Sequence, residues 1–457
     1  MPSSEEGLPE RPQPDSHVRL NESFHERAIF VNRAATGAAP EVPGDTLKRV
    51  QEFHRQLTDF EPTPLVRLIQ PEVDAQVFVK DESKRAGHGS FKILGTSWAI
   101  YRAVVGKLGL PEEASMQEVA AAARENGVVL YASGEITHGH AVAYMAEQLG
   151  IEAKIYMPSD CPLQDKLAVG DQATLVPAGN NLDQALSAAM KDSLGDAKGL
   201  LISDCAMEGY EQIPRFIVEG YSTIFTELDE QLEALGVDPS LILVPVGVGS
   251  LAQAAVRHYK TERRLAAHRC AIVTVEPQDA DCLYLSIRDE QPTEVKPGFT
   301  NMHGINCGVV SKIAFPELLH TVDACVTVCV KRADETCREM GRSGVPNGPC
   351  GAATLAALWR LQAAVINDGF IAGLFGQHAK VILLNTEGTR FYNMRRDHFR
   401  QNCSHYSPPG AVMVRQGSSL IVTAHPTDPG SAICGPAGVG PVRGDADTGT
   451  RVHGTGY

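Results

Sequence analysis

The chain has 457 residues, 43% hydrophobic and 21% charged, the make-up of a globular protein long enough for two lobes with their own cores. Its formal net charge of -14 excludes general binding to nucleic acid or an anionic membrane, since either needs a basic surface. No apolar run approaches the roughly 20 residues of a membrane helix, the polar, acidic start MPSSEEGLPERPQPDS lacks a secretory core, and a cytoplasmic protein is expected.

Residues 1–16 read as disordered. Short apolar runs then alternate with helical patterns. AQVFVK, GVVLYAS, EAKIYMP, QATLVPA, LLISD, SLILVPVG, CAIVTVEP and AKVILLNTEG are the strand candidates. FKILGTSWAIYRAVVGKLG, GHAVAYMAEQLG, NLDQALSAAMKDSLG and AATLAALWRLQAAV carry helical patterns. Apolar strands alternating with amphipathic helices predict an α/β protein with parallel sheets covered on both faces. So many units exceed one compact sheet, so two α/β lobes are expected, with a ligand cleft at the strand C-termini. From about Gly410 onward the chain is rich in Gly, Pro and Asp and reads as disordered; VMVRQGSSLIVTA is the one stretch there able to add a hairpin.

The first chemical signal is KDESKRAGHGSFKILG. A strand ends near Lys80, a charged loop follows, and Ser90 is placed to cap a helix with Lys92 in its first turn. The positive helix end and burial both disfavour an ammonium there, and a neutral amine is what Schiff-base chemistry needs. An exposed lysine near a helix start is the plain alternative. Next, VVLYASGEITHGHAVAYMAEQLG runs from strand through turn to helix and places Ser133, Glu135, Thr137 and His138 at the expected cleft. Glu135 is either a general acid or base or a carboxylate stabilised by the helix dipole. His138 and His140 are too close for an i, i+4 metal pair, and no metal is expected.

In LILVPVGVGSLAQAAV a buried strand leads through Gly247, Val248, Gly249 and Ser250 into a helix. Backbone N–H groups in such a turn make a phosphate cradle, although a plain βα turn has the same pattern. Eleven cysteines show no CxxC or zinc-finger spacing. Cys325 and Cys329 read as buried thiols of one strand, and few disulfides are expected in a reducing compartment. Cys350 in GPCGAATLAALW reads as part of a helix start. ILLNTEGTR ends a strand with Asn385, Thr386, Glu387 and Gly388, where a hydroxyl can meet a ligand's ring nitrogen.

The order of these signals is more specific than any one of them. A lysine in SFKxLG, a His-Gly turn, a glycine cradle and a polar strand end resemble the fold-type II enzymes of pyridoxal 5′-phosphate (PLP), the group of threonine dehydratase, threonine synthase and the tryptophan synthase β-subunit. FHRQLTDFEPTPLVRL, KDESKRAGHGSFKILG, DCAMEGYEQIP, VEPQDADCLY and NTEG are most similar to the diaminopropionate ammonia-lyase family. The likeness runs from about residue 28 to residue 395.

The resemblance implies two lobes, each a mostly parallel sheet flanked by helices: residues 17–95 and 196–403 as the large PLP-binding lobe, 96–195 as the small lobe, and 404–457 as a tail. It implies Lys92 as Schiff-base lysine and proton-transfer base. Phe91, Thr137, His138, the phosphate loop Gly247–Ser250, and Thr386 facing the pyridine nitrogen would contact PLP. Ser133, Glu135 and Asp204 would lie at the substrate, Asp204 near its amine. A homodimer is implied as well.

One segment departs from the family pattern. Where the family has Asp-Gly-Asn-His-Gly, this chain has Glu135-Ile136-Thr137-His138-Gly139. The expected activity is α,β-elimination of a small amino acid such as 2,3-diaminopropionate to pyruvate and ammonia, with Lys92 as base and Glu135 as acid. The altered segment leaves two alternatives open: a β-replacement enzyme of specialised metabolism, or a PLP-binding protein without turnover. Cys282 and Cys307, near the expected cleft mouth, are read as free thiols.

Overall fold

Apolar runs rich in Val, Ile and Leu form strands that are covered on both faces. In the computed structural model these are β1 (Ile29–Val31), β2 (Leu65–Leu68), β3 (Gln76–Asp81), β4 (Val129–Ser133), β5 (Glu152–Met157), β6 (Thr174–Pro177), β7 (Gly199–Leu201), β8 (Leu241–Pro245), β9 (Ala271–Pro277), β10 (Ala324–Val328) and β11 (Lys380–Asn385). The structure describes residues 28–134, 136–159, 173–180, 182–390, 392, 412–416 and 419–423. Residues 1–16 and most of the tail therefore lie outside the described residues.

The large sheet has seven strands in the order β1-β10-β9-β8-β11-β3-β2. Its interior strands run parallel, and β1 and β2 close the two edges antiparallel. Every residue of β8, β9 and β10 is buried. The small sheet has the order β6-β5-β4-β7 and is parallel throughout. Because β7 pairs with β4, that sheet extends past residue 195. Both sheets belong to one unit that ends at residue 406. The other unit contains the expected hairpin, β12 (Val412–Gln416) paired antiparallel with β13 (Ser419–Thr423). No described helix is long and apolar enough to cross a membrane.

The helix that starts at Lys92 runs to Leu108 and stops at Gly109, whose φ of 63° is left-handed. The N-cap is Phe91 rather than the expected Ser90; the Ser90 hydroxyl instead accepts the Lys92 N–H at 3.4 Å. Ile93, Leu94, Trp98 and Ile100 bury this helix in the core. It packs backbone to backbone against the helix Gln212–Gly220. A Cβ on Gly220 would stand 2.5 Å from the Leu94 carbonyl oxygen, and one on Gly95 would stand 2.5 Å from the Tyr221 ring. Cys325 lies on β10, but Cys329 falls one residue past its end as the N-cap of the next helix; both are buried and neither forms a disulfide.

Below the lysine loop lies a group of buried charges. Lys80 and Arg85 face Glu82 and Glu227, two cations against two anions, and all four side chains are nearly inaccessible. Lys80 Nζ donates to Glu227 at 2.8 Å and to the Thr63 carbonyl at 2.7 Å. Arg85 donates to both Glu227 oxygens at 2.7 and 2.6 Å and to Glu82 at 2.7 Å. The Thr63 hydroxyl donates to Glu82 at 2.6 Å.

Glu227→Ala would leave two buried cations facing one carboxylate. It is expected to destabilise the protein by about 3–5 kcal/mol in denaturant titration. Gly220→Ala forces the two helices apart and is expected to lose about 1–3 kcal/mol. A loss from Glu227→Ala no larger than about 1 kcal/mol, the size of an exposed pair, would show that the cluster is not desolvated.

Candidate active site

Lys92 projects from the first residue of its helix, and its Nζ lies 2.8 Å from Asp204 Oδ2. Asp204 sits in the loop after β7, and that loop is fixed from several sides. The Ser203 N–H donates to the Tyr210 hydroxyl at 2.9 Å, which donates in turn to the Leu201 carbonyl at 2.8 Å. Met207 and Tyr210 exchange backbone hydrogen bonds around Gly209, whose φ of 73° closes the turn. Ala206 N–H donates to Ser311 Oγ at 3.0 Å. Burial alone would push the Asp204 carboxyl up, but Lys92 and His138 draw it down to about 2, so it stays an anion.

The glycine loop follows β8. Gly249 has a φ of 99°, and the ten-residue helix Ser250–Tyr259 begins directly after it. A Cβ at Gly249 would meet Leu318 at 3.1 Å and Ala314 at 3.3 Å, so both conformation and space require glycine. Ser250 Oγ donates to the Asp204 carbonyl at 2.9 Å, and Ser311 N–H donates to the Val248 carbonyl at 2.8 Å. The loop is thus joined directly to the partner of Lys92. Cys282 Sγ lies 3.8 Å from the Gly247 carbonyl, and Cys307 Sγ lies 3.0 Å from where a Gly247 Cβ would stand; neither forms a disulfide.

Of the altered wall, the structure places Ser133 at the end of β4 and Thr137 in the helix Ile136–Leu149, both half-buried. Glu135 lies outside the described residues. His138 is buried, with Nε2 3.1 Å from the Ile202 carbonyl and Nδ1 3.3 Å from Thr96 Oγ1. A carbonyl can only accept, so Nε2 carries the hydrogen. Both ring nitrogens thus have protein partners. His140 turns elsewhere: its ring lies 4.7 Å from that of His88 in the lysine loop, and Tyr144 meets His88 at 4.3 Å.

At the far side, Thr386 is buried at the end of β11 and accepts the Phe91 N–H on its carbonyl at 3.3 Å. Gly388 N–H donates to the Gly89 carbonyl at 2.8 Å, closing the strand end onto the lysine loop. Phe91 packs on Tyr221 with ring centres 4.8 Å apart. Asn385 turns away, donating to Asp81 at 2.7 Å and to the Pro346 carbonyl at 2.8 Å. Glu387 accepts the Cys350 N–H at 2.8 Å, which makes the GPCG turn a capped helix start. The sequence reading does not name Thr96 or Ser311, and no local motif marks them. Tyr210 lies inside the DCAMEGYEQIP stretch, which is its only signal.

These groups match PLP part by part. Lys92 offers an amine for the aldehyde. The left-handed Gly249 followed by a helix start offers a nest for the phosphate. Thr386 offers a neutral hydroxyl at the expected place of the ring nitrogen. The donor set fits the cofactor.

Residues 57–372 match the family model described as pyridoxal-phosphate dependent enzyme. Diaminopropionate ammonia-lyase of Salmonella typhimurium is 30% identical over 395 residues, which cover 81% of this chain and 96% of that protein. Among solved structures, holo diaminopropionate ammonia-lyase from Escherichia coli superposes with a TM-score of 0.71 at 26% identity, covering 79% of this chain and 93% of that one. The same Escherichia coli enzyme in complex with D-serine gives a TM-score of 0.70 at 26% identity and the same coverage of 79% and 93%.

Burial, with His140 adding, lowers His88 to about 4. Burial lowers His54 to about 3; its ring nitrogens face Thr223 Oγ1 at 2.8 Å and the Leu94 carbonyl at 2.9 Å. In the unfolded chain both imidazoles take a proton near their ordinary value of about 6.5. Stability is therefore complete above that value and falls as pH drops from there toward 4, because the unfolded state binds protons first. Denaturant midpoints are expected to fall between about pH 7 and about pH 5, and His88→Gln to flatten part of the slope. A flat profile over that window would mean that the rings titrate normally.

Proposed function

The chain belongs to the family of pyridoxal-phosphate dependent enzymes, and from that premise we propose that it is an ammonia-lyase for 2,3-diaminopropionate. The observation that carries this is the Lys92 amine, 2.8 Å from the fixed Asp204 carboxylate and joined to the glycine loop through Ser250. When bound, the cofactor supplies the sink for the electron pair left at the substrate's α-carbon.

The chain's own groups supply the rest. The nest at Gly247–Ser250 and the helix behind it hold the phosphate. Thr386 would offer the ring nitrogen a neutral hydroxyl, which suits an elimination. Lys92 would hold the cofactor and, once freed, take the α-proton on Nζ. Asp204 attracts the substrate's cationic amine. Phe91, Ser133 and Thr137 line the site, and His138, held by Thr96 and Ile202, fixes the wall. Glu135 gives a proton to the β-amino group, which leaves as ammonia. The released enamine hydrolyses in water to pyruvate and a second ammonia. A homodimer in the cytoplasm is part of the same proposal.

A second reading has one observation in its favour. The Glu135-Ile136-Thr137 segment departs from the family pattern on the wall where the leaving group departs. A β-replacement enzyme would trap the enamine with a nucleophile instead of releasing it.

Pyruvate release from L- and D-2,3-diaminopropionate, with serine and threonine alongside, separates these readings. Release from diaminopropionate is expected. α-Proton exchange without pyruvate would favour replacement, and cofactor binding with neither would favour a binding protein. Lys92→Ala is expected to abolish turnover, and retained activity would overturn Lys92 as the base. Glu135→Asp is expected to raise pyruvate release; no change would count against Glu135 as the acid.

A further inference from the structure

Asp204 does more than face the substrate. Its carboxylate sits on the one amine that must become neutral before it can attack an aldehyde. The surrounding loop leaves that carboxylate little freedom, because Ser250 holds its own carbonyl and Ser311 and Tyr210 hold its neighbours. An anion fixed 2.8 Å from an ammonium favours the charged amine. The helix start at Lys92 works in the opposite sense, because its dipole disfavours a cation.

We propose that Asp204 acts as a protonation lock on Lys92 and so sets the pH at which this chain captures its cofactor. This rests on the reading of Lys92 as the cofactor lysine. Lys92 would lose one proton from its ammonium to water, a loss that the fixed Asp204 anion opposes. The neutral Nζ would then bond to the aldehyde carbon, and the aldehyde oxygen would take one proton from that nitrogen and a second from solvent and leave as water. Asp204 stays an anion throughout and would favour the positive charge left on the nitrogen. One residue thus opposes capture at low pH and assists the loss of water once capture begins.

Among the described residues, His138 faces Asp204 from the helix Ile136–Leu149, and Cys205 and Tyr210 lie on the Asp204 loop itself. The glycine loop brings the Ser250 hydroxyl. Lys92 Nζ donates to Asp204 Oδ2 at 2.8 Å.

The test follows the rate at which protein stripped of cofactor develops the absorbance band of bound PLP, as a function of pH. Wild type is expected to capture PLP ever faster as pH rises, up to a plateau. In Asp204→Asn the pH of half-plateau rate is expected to fall by about one to three units, the usual effect of removing an opposite charge. The plateau itself is expected to drop, because the anion that favours the positive nitrogen is gone. Asp204→Glu keeps the charge and is expected to keep the wild-type midpoint. An unchanged midpoint in Asp204→Asn overturns the lock. Should that variant not fold, a wild-type rate independent of pH across the neutral range overturns it equally, because a locked ammonium must show a pH dependence. Absence of any band in wild type would sink the reading of Lys92 and the lock with it, which separates the two failures.

Discussion

Four buried charges that sum to zero hold the base of the lysine loop, and the site is built outward from them. Lys80 ends β3, Glu82 and Arg85 lie in the loop, and Glu227 comes from the helix Ser222–Leu235. Taking each ion out of water costs several kcal/mol, so the arrangement persists only where every carboxylate meets a cation. That requirement admits few conformations of the loop. It also accounts for Ala86, a non-glycine residue at a left-handed φ of 44° directly after Arg85. Such a conformation costs of order 1 kcal/mol and survives where its surroundings over-determine it. From this base the chain passes through Gly87 and Gly89 to Lys92, and Thr386 and Gly388 pin it to the end of β11.

The second constraint is steric. Lys92 can stand where it does only because its helix and the helix Gln212–Gly220 touch at Gly220 and Gly95. The loop before that second helix carries Asp204. The contact that seats the lysine helix therefore also seats its partner, and Ser250 adds the glycine loop to the same assembly. Three sequence-distant segments meet through one ion pair and one hydroxyl.

Much of this was legible in the chain. The apolar runs around residues 76, 241, 271, 324 and 380 read as buried parallel strands because most of their residues are apolar and no strict alternation intervenes. The glycine loop was legible because a left-handed turn before a helix needs a glycine at 249. The short edge strands β1 and β2 were not legible, being three and four residues long with no periodicity to detect. Ser90 looked like the cap because serine favours that role, yet the helix begins one residue later and the hydroxyl still bonds the Lys92 amide. Nothing local announces that Glu227 is buried against Arg85, since ion pairs across 142 positions leave no spacing to read. The Lys92–Asp204 pair was half legible: each residue stood out by resemblance, but their contact did not.

That contact changes how the altered wall should be understood. Burial and the helix dipole both disfavour an ammonium at Lys92. The structure puts a fixed anion beside it, 2.8 Å away, which acts in the opposite sense. On the proposed reading, removal of the α-proton draws on the lysine helix, the Asp204 loop and the glycine loop, and the departures at 135–137 lie in another stretch of the chain. Of these, Ile136 and Thr137 open the helix Ile136–Leu149. There His138 meets Thr96 and the Ile202 carbonyl. A glutamate in place of aspartate moves a carboxylate by one methylene, and isoleucine in place of glycine adds bulk beside it. On the proposed reading, in which Lys92 takes the α-proton and Glu135 gives one to the leaving group, both changes bear on the group that leaves and on what can approach the carbon it leaves behind.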